Sequence, residues 1–425
     1  MYKNKIIELA LFNSLLIGLL SLSFNVFAED ALTDALTGGK VDFSFRARYE
    51  HVDDKSKTAG NQEADAFTAR TALGYKTGDF YNVFAYLQFE NTTPISNSSQ
   101  YNDTLNGRGT LPVIADPRNT EVNQAYLGVK LFEKNLIKVG RQIITPRKAP
   151  FHRFLGTVLW RQNWQTQDAV TLTNTYFKDT ELLAGYIWNN NTITTADRDM
   201  EAKIFNAKYK GFKYVSLEGY YYDLDFTSTA DLANASETYG IRANGAIPVI
   251  NDKTRFIYTG EYATQSDTGS NPNNYDADYY LLEGGFKLKL DSFVTSLLAK
   301  VSYEVLESDK GTAGTVFRTP LATGHAYQGW ADNFLTTPAA GIEDTILTMV
   351  ATGKYATKLI VSYHMLEAET GSFDYGDELD IWFTKKFYKK YTVGLKYSAY
   401  DASSDAGNSK ATDLSKFWAY FAFKY

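Results

Sequence analysis

Apolar and polar residues alternate with a period of two over most of the chain that follows Lys40, for example at 41–50, 83–90, 378–383 and 416–425. Successive side chains of a β-strand point to opposite faces, so each such segment has one apolar face and one polar face. Soluble β-sandwiches alternate as well. The pattern therefore predicts an all-β chain but does not by itself identify the solvent around it.

The gaps between the predicted strands identify that solvent. Eighteen segments have strand character, with sixteen strands as the alternative count. Every second gap is a tight turn, as at 76–79, whereas the gaps between the turns are long and polar, notably 91–119, 143–167 and 307–343. This alternation is typical of a transmembrane antiparallel β-barrel with brief periplasmic turns and longer extracellular loops. We therefore predict such a barrel, with both termini on the periplasmic side.

Composition agrees with a barrel and excludes several other classes. The 31 Tyr and 27 Phe residues fit aromatic girdles at the two membrane interfaces. A mean hydropathy of −0.32 excludes a polytopic helical membrane protein. The net charge of −6 disfavours a nucleic-acid partner, and the lack of Cys excludes disulfides and thiol nucleophiles. The aromatic C-terminal segment, ending at Tyr425, resembles the C-terminal strand that the outer-membrane assembly machinery recognises.

The N-terminus predicts export from the cytoplasm. Lys3 and Lys5 precede an apolar stretch, and Val26-Phe27-Ala28 offers small residues at −3 and −1. We expect a signal peptide at 1–28, cleaved near Ala28, and a barrel domain at 29–425 in the outer membrane of a Gram-negative bacterium. The first predicted strand begins about ten residues after this site, so the sequence predicts no plug domain ahead of the barrel.

A barrel of sixteen or eighteen strands encloses an aqueous channel, which the polar strand faces would line. Rings or ladders of charged side chains then set the selectivity of such a channel. Basic and acidic candidates are mixed, and each could equally be a solvated or ion-paired side chain. The lining candidates are Arg46, Arg48, Arg70, Lys130, Arg242, Lys396, Lys416, Asp42, Glu50, Glu90, Glu218, Glu304, Glu378 and Asp380.

The predicted loop 143–167 is dense in residues that bind acidic sugars or carboxylates, because guanidinium groups match carboxylates and Trp faces stack on sugar rings. Loops of this length are often functional. Its chemistry-bearing residues are Arg147, Lys148, His152, Arg153, Trp160, Arg161, Gln162, Trp164, Gln165 and Asp168. The face of Arg141 is ambiguous: either a bulge at Gly140 re-aims it or it lies above the membrane.

The chain resembles the alginate-export family of outer-membrane porins along nearly the whole mature sequence. Among the segments that carry the resemblance are 45–50, 123–127, 153–156, 160–162, 165–169, 261–265, 317–325, 329–335 and 376–380. The resemblance implies an eighteen-stranded, monomeric pore with an arginine-rich constriction, through which some members pass a linear polyuronate.

Carried over by motif, the resemblance implies a basic lining, acidic counterparts and a loop folded toward the pore mouth. The basic residues are Arg46, Arg48, Arg70, Arg141, Arg153, Arg161 and Arg242. The acidic residues are Glu50, Asp168, Glu378 and Asp380. The mouth loop contains Thr319, His325, Trp330 and Asp332.

The sequence therefore predicts a passive, non-enzymatic porin for acidic or polar solutes, with polyuronate or small solutes as substrates. A general or substrate-specific uptake porin is the alternative, and an outer-membrane barrel enzyme is a distant third. The four His residues, His51, His152, His325 and His364, show no spacing that identifies a nucleophile with its base. We expect no cofactor, although a calcium ion held by loop carboxylates stays open.

Overall fold

The computed structural model describes residues 27–148, 153–250 and 252–425. One helix, α1, spans Phe27–Thr37 and precedes the sheet. The strands are β1 Lys40–Asp54, β2 Glu63–Lys76, β3 Val83–Pro94, β4 Asn119–Leu131, β5 Asn135–Gln142, β6 Thr166–Asn174, β7 Thr180–Asn191, β8 Asp197–Tyr209, β9 Val215–Phe226, β10 Ser236–Pro248, β11 Thr254–Asp267, β12 Asp276–Lys289, β13 Val294–Leu306, β14 Ile342–Gly353, β15 Thr357–Glu367, β16 Asp374–Phe387, β17 Tyr391–Ala402 and β18 Leu414–Lys424.

These strands form one closed antiparallel sheet in which each strand pairs with its neighbours in sequence. Closure comes from β1, which pairs with β2 on one side and with β18 on the other, for example at Glu50↔Trp418. A closed sheet has no free edge, so every strand has hydrogen-bonding partners on both sides, as a bilayer requires. The predicted eighteen-stranded barrel is confirmed.

Eight connections of at most six residues lie at one end of the barrel, the turn end. The nine connections at the other end, the loop end, include all the long ones, such as 95–118, 143–165 and 307–341. The residue before β1 and the residue after β18 are both at the turn end, because the strand number is even. That the turn end faces the periplasm stays a prediction. Within the described residues, no helix is long and apolar enough to cross a membrane.

The two faces of each strand differ as the alternation predicts. Outward side chains are large and apolar yet exposed, such as Ile241 at 68% and Leu282 at 63%. Apolar exposure on this scale would favour aggregation in water but suits contact with lipid. Inward side chains are mainly polar or charged and largely buried, for example Arg48, Glu50, Glu378 and Asp380. Since an empty wide pore would leave them exposed, something in the lumen covers them.

Helix α1 was not predicted. It packs against the turn end, where the Gly78 N–H donates to the Ala35 carbonyl at 2.8 Å. The helix begins at Phe27, one residue before the predicted cleavage site, and residues 1–26 lie outside the described residues. Signal-peptide cleavage near Ala28 thus stays a prediction. The predicted gaps are correct to within a few residues, as for 91–119 against the observed 95–118 and 143–167 against the observed 143–165.

Candidate functional site

Two loops fold into the lumen and cover its wall. We call residues 143–165, between β5 and β6, the crossing loop, and residues 307–341, between β13 and β14, the mouth loop. In the crossing loop, Arg153 pairs with Glu304 on β13, with Nε 2.8 Å from Oε1. Strand β13 is eight strands from β5 in a ring of eighteen, so this contact lies almost opposite the loop's origin.

A second arginine fixes the first half of the crossing loop to a different part of the wall. Arg147 Nε lies 3.0 Å from Glu218 on β9, and its Nη2 lies 2.6 Å from Glu261 on β11. Arg242 on β10 also pairs with Glu261 at 2.5 Å. The carboxylates of Glu218 and Glu261 thus share the guanidinium groups of Arg147 and Arg242. This pairing offsets the free-energy cost of burying the four charges.

The last part of the crossing loop returns to β1. Arg161 donates to both oxygens of Glu50, at 3.0 and 3.2 Å. Arg48, which is fully buried, pairs with Asp116 of the β3–β4 loop, lies 3.3 Å from Glu50 and donates to the Trp160 carbonyl. Buried ion pairs are costly to break on one side, because the remaining charge is left in a medium of low dielectric constant.

Arg46 differs from these arginines because all of its bonded acceptors are neutral. Its guanidinium donates to Gln162 Oε1 at 2.9 Å, to the Leu159 carbonyl at 2.9 Å and to the Arg161 carbonyl at 2.5 Å. Within the described residues it has no carboxylate at ion-pair distance, and its side chain stays partly exposed. Arg46 therefore presents an uncompensated positive charge to the lumen.

The mouth loop docks on wall carboxylates through its main chain. The Ala331 N–H donates to Glu378 at 2.7 Å, and the Trp330 N–H donates to Asp380 at 3.0 Å. Gly329 has φ +85°, and a Cβ there would lie 2.3 Å from the Glu378 carboxylate. Only glycine lets the main chain approach the wall this closely in this conformation.

The two loops also contact each other inside the barrel. The Gly156 N–H donates to the Leu321 carbonyl at 3.0 Å, and the Thr323 hydroxyl donates to the Thr157 carbonyl at 2.6 Å. Beside them, Phe154 packs in the buried cluster with Phe317, at a centroid distance of 5.9 Å. The loops therefore form one block, fixed to the wall on several sides.

A wall lysine lies where the two loops and the barrel meet. The Lys396 Nζ on β17 is 3.8 Å from the ring centroid of Trp330 and 4.2 Å from that of Trp160. Trp382 and Trp418 from the wall lie at 5.2 and 5.4 Å. Four of the chain's six tryptophans surround this ammonium group, and buried cation–π contacts contribute on the order of 2 kcal/mol.

His325 of the mouth loop links Lys396, which the four tryptophans surround, to the carboxylate of Asp332. Its Nε2 lies 2.5 Å from Lys396 Nζ, which can only donate, so Nδ1 carries the proton and donates to Asp332 at 2.6 Å. Burial lowers the pKa of His325 to about 3, consistent with a neutral ring. Asp332 also lies 3.2 Å from Lys416 and 3.6 Å from Arg161.

Two loop carboxylates are held in their ionised form. Burial alone would raise the pKa of Asp116, but Arg48 and Arg161 outweigh burial and lower it. Burial would likewise raise the pKa of Asp332, and the bonded His325, Lys416 and Arg161 lower it well below its usual value. Both carboxylates therefore stay charged at neutral pH and keep their partners.

Most predicted site residues lie on the lumen wall or in the two loops. The wall supplies Arg46, Arg48, Glu50, Arg70, Arg242, Glu378 and Asp380. The crossing loop supplies Arg153 and Arg161, and the mouth loop supplies Thr319, His325, Trp330 and Asp332. Arg70 pairs with Glu90, with Nε 2.7 Å from Oε2, while Trp164 lies over its guanidinium at 3.8 Å. His152 lies outside the described residues.

Arg141 and Asp168 depart from the predicted arrangement. They face each other across β5 and β6, with Nε 2.8 Å from Oδ1, on the face opposite to Gln142 and Gln167. Gly140 has φ +123°, but the β4–β5 register does not shift there, so no bulge re-aims Arg141 into the lumen. This pair lies on the outer face near the loop end rather than in the pore lining.

Three buried carboxylates at the site, Asp116, Glu261 and Asp344, were not anticipated as lining residues. Asp116 binds Arg48 and accepts the Gln162 N–H at 2.8 Å, and Asp344 on β14 lies 2.9 Å from His364 Nδ1. Asp116 lies in a long loop where strand alternation gives no signal. Asp344 follows the alternation of β14, since it shares a face with Thr348, and could have been found that way.

These features together define the class of protein. A closed barrel with a lipid-compatible exterior, and with a charged lumen narrowed by its own loops, is an outer-membrane porin. A model of the alginate export family matches residues 39–296, and the chain belongs to this family. No protein of curated function matches the sequence significantly.

Three solved structures of similar fold come from two bacteria. Pseudomonas aeruginosa OpdK with vanillate is 11% identical and has a TM-score of 0.69, covering 92% of this chain and 99% of its own. P. aeruginosa OccD3 (OpdP) is 13% identical with a TM-score of 0.66, covering 92% of each chain. Acinetobacter baumannii OccAB3 is 12% identical with a TM-score of 0.67, covering 92% and 100%. At these identities the likeness concerns the fold.

Proposed function

We propose that the protein is a monomeric channel of the outer membrane through which small acidic solutes diffuse passively. The observation that carries this proposal is the sorting of the wall and crossing-loop arginines at the site that the two loops cover. Arg48, Arg70, Arg147, Arg153, Arg161 and Arg242 are each paired with carboxylates, so their charge is compensated. Arg46 is bonded only to neutral oxygens and stays partly exposed, so its charge remains available to a passing anion.

Two further points favour small solutes over a long polymer. The crossing and mouth loops occupy the lumen, which leaves less room for a chain of sugar rings. The similar OpdK structure contains vanillate, a small aromatic carboxylate. Membership of the alginate export family favours the second candidate, outward passage of a polyuronate. Release of a long polyuronate from vesicles that contain the barrel would identify that second function, whereas block by a short oligouronate would not.

We propose that the chain is not an enzyme. The described histidines each bind a carboxylate: His51 with Asp65, His325 with Asp332, and His364 with Asp344. Among the described residues, none of the three has a Ser or Thr hydroxyl as a hydrogen-bond partner, as a nucleophile activated by its base would. The calcium ion and the assembly machinery stay predictions.

The test is the reversal potential of the refolded barrel in a planar bilayer under a salt gradient. Arg46→Gln removes an uncompensated luminal charge, and we expect it to shift the reversal potential toward cation preference. Arg242→Gln is the matched control, because it removes the same charge from the lumen while Glu261 keeps Arg147 as its partner. If both variants shift the reversal potential equally, Arg46 has no greater influence on ion selectivity than Arg242, and its lack of a carboxylate partner is not what matters. A folded barrel that conducts no ions would refute the channel itself.

A further inference from the structure

The luminal face at the turn end of the barrel is a ring of positive charges, which we call the basic collar. Its members come from ten of the eighteen strands and alternate along each strand with outward-facing residues. They are Lys40, Lys76, Lys130, Lys138, Lys208, Arg255, Lys287, Lys289, Lys358, Lys386 and Lys424. None of them belongs to the loop-covered site described above, except that Lys208 contacts the Pro146 carbonyl.

The strand registers place these side chains in the lumen. Lys386 shares a face of β16 with Glu378 and Asp380, which the mouth loop covers from inside. Lys287 shares a face of β12 with Glu283, which is opposite Ser302 on the luminal face of β13. In a strand, residues two apart lie on the same face. The collar is therefore continuous with the lumen wall.

The collar contains like charges directly opposite each other. Lys40 is the cross-strand partner of Lys76, and Arg255 is the partner of Lys287. Like charges in this position destabilise a sheet. Arg255, Lys287, Lys358, Lys386 and Lys424 are exposed. Lys76 Nζ lies 4.0 Å from the centroid of the Phe84 ring, which offsets part of this repulsion in the first pair. Residues that break a local rule of stability are expected at functional sites.

Few carboxylates at the turn end compensate the collar. Asp79 pairs with Lys130, and Glu218 lies 4.0 Å from Lys208. Asp42 accepts hydrogen bonds from Tyr86 and Gln88. Among the described residues, the other nine collar cations have no carboxylate at ion-pair distance. They are Lys40, Lys76, Lys138, Arg255, Lys287, Lys289, Lys358, Lys386 and Lys424.

The loop end has the opposite character. Its connections and strand ends carry mainly carboxylates, such as Asp54, Asp231, Asp309, Glu369 and Asp405. A strand of about 14 residues spans roughly 45 Å, whereas the Debye length is about 8 Å at physiological ionic strength. The two ends are therefore screened from each other, so the collar attracts anions from the turn side without interference from the acidic end.

We propose that the basic collar is a capture site for multivalent carboxylate anions that enter the channel from the turn end. An exposed pair of single charges contributes only about 0.2–1 kcal/mol, so a monovalent anion gains little from any one lysine. An anion with several carboxylates contacts several collar residues at once. The site thus selects by the number of charges and gives the channel a preferred side of entry. This proposal rests on the proposed channel function.

The experiment measures block of the channel by trigalacturonate added to one side of a planar bilayer. The natural chain has no Cys, so Ser404→Cys in the exposed β17–β18 loop gives a single thiol. A membrane-impermeant thiol reagent then reports which side holds the loop end. Electrostatic focusing raises association rates by about 10- to 1000-fold. We therefore expect block at a roughly tenfold or more lower concentration from the turn side.

The variant Lys76→Gln/Arg255→Gln removes one member of each like-charge pair. It should abolish most of the sidedness and leave the resistance of the barrel to urea nearly unchanged, because the relief of repulsion offsets the loss of the contact between Lys76 and the Phe84 ring. The control, Lys385→Gln/Lys389→Gln, removes the same charge at the same end from an outward strand position and a turn. It should preserve the sidedness.

Equal block from both sides, or sided block that persists in Lys76→Gln/Arg255→Gln, would overturn the capture site and leave the channel function intact. Sidedness lost equally in the control would show that the net charge of the turn end acts without the luminal collar, and would also overturn the proposal. A folded barrel without current would refute the channel function and this proposal together.

Discussion

Replacing Arg161 by Met should release the crossing loop from the β1 wall. The guanidinium is 7% exposed and binds Glu50 at 3.0 Å, with Asp332 at 3.6 Å and Asp116 at 3.9 Å. Met keeps much of the side-chain volume but leaves these buried carboxylates with fewer partners. Arg48 still compensates Glu50 and Asp116, and Lys416 still compensates Asp332.

Breaking one side of a buried ion pair costs about 3–5 kcal/mol. The barrel itself does not depend on this contact, so the cost falls on the docked state of the loop. Because Arg48 and Lys416 still compensate the carboxylates, the cost should not exceed the lower limit of about 3 kcal/mol. Since 1.4 kcal/mol is a tenfold change in an equilibrium, the ratio of docked to displaced loop should fall by up to about 100-fold. A displaced loop widens the lumen, so the single-channel conductance should rise.

The assay compares single-channel conductance and tryptophan emission for natural and Arg161→Met barrels whose folding is confirmed by gel mobility before and after heating. Trp160 precedes Arg161 and belongs to the four-tryptophan cage, so displacement should shift the emission to longer wavelength. The double variant Arg161→Met/Glu50→Gln also removes the carboxylate that has the shortest contact with Arg161. It should restore part of the docking of the crossing loop. A folded Arg161→Met barrel with unchanged conductance and emission would refute the reasoning.

Two shorter predictions concern the mouth loop. Burial lowers the pKa of His325 to about 3, whereas the ring of a displaced loop titrates near 6.5, so the displaced state takes up a proton first as the pH falls. Docking of the mouth loop should therefore weaken as the pH falls below about 6.5, and the conductance should rise. His325→Gln should flatten this pH dependence. A natural channel whose conductance does not change over this range would contradict the prediction. Gly329→Ala places a methyl group 2.3 Å from the Glu378 carboxylate at a φ of +85°, so the loop must shift and conductance should rise, whereas Ala331→Gly should leave it unchanged.

Much of the barrel was predictable because every strand that separates lipid from an aqueous lumen alternates apolar outward side chains with polar inward ones. Alternation at 41–50 placed Arg46, Arg48 and Glu50 on one face, and the register confirms that they share the lumen. The rule also holds near the loop end, where the resemblance, and not the alternation, placed Arg141 in the pore lining. Arg141 follows the parity of its apolar neighbours Ile137 and Val139, and it lies on the outer face.

The loop contacts could not be predicted, since they join residues far apart in sequence. Arg153 and Glu304 pair across the barrel, and Asp116 meets Arg48 from a loop that has no periodic pattern. Loops obey no alternation, so their partners depend on which wall groups lack compensation. The density of Arg and Trp in 143–167 indicated that the segment has a role but did not indicate which wall residues it contacts.

The docking of the loops by main-chain N–H groups bears on how such a channel changes during evolution. Glu90 accepts the N–H of Trp164, Asp116 that of Gln162, and Glu378 that of Ala331. Every residue except proline carries this donor, whatever its side chain. Side chains at the docked positions can therefore be exchanged without loss of the anchor. Mutation can thus vary the chemistry that a solute meets while the narrow part of the passage keeps its place.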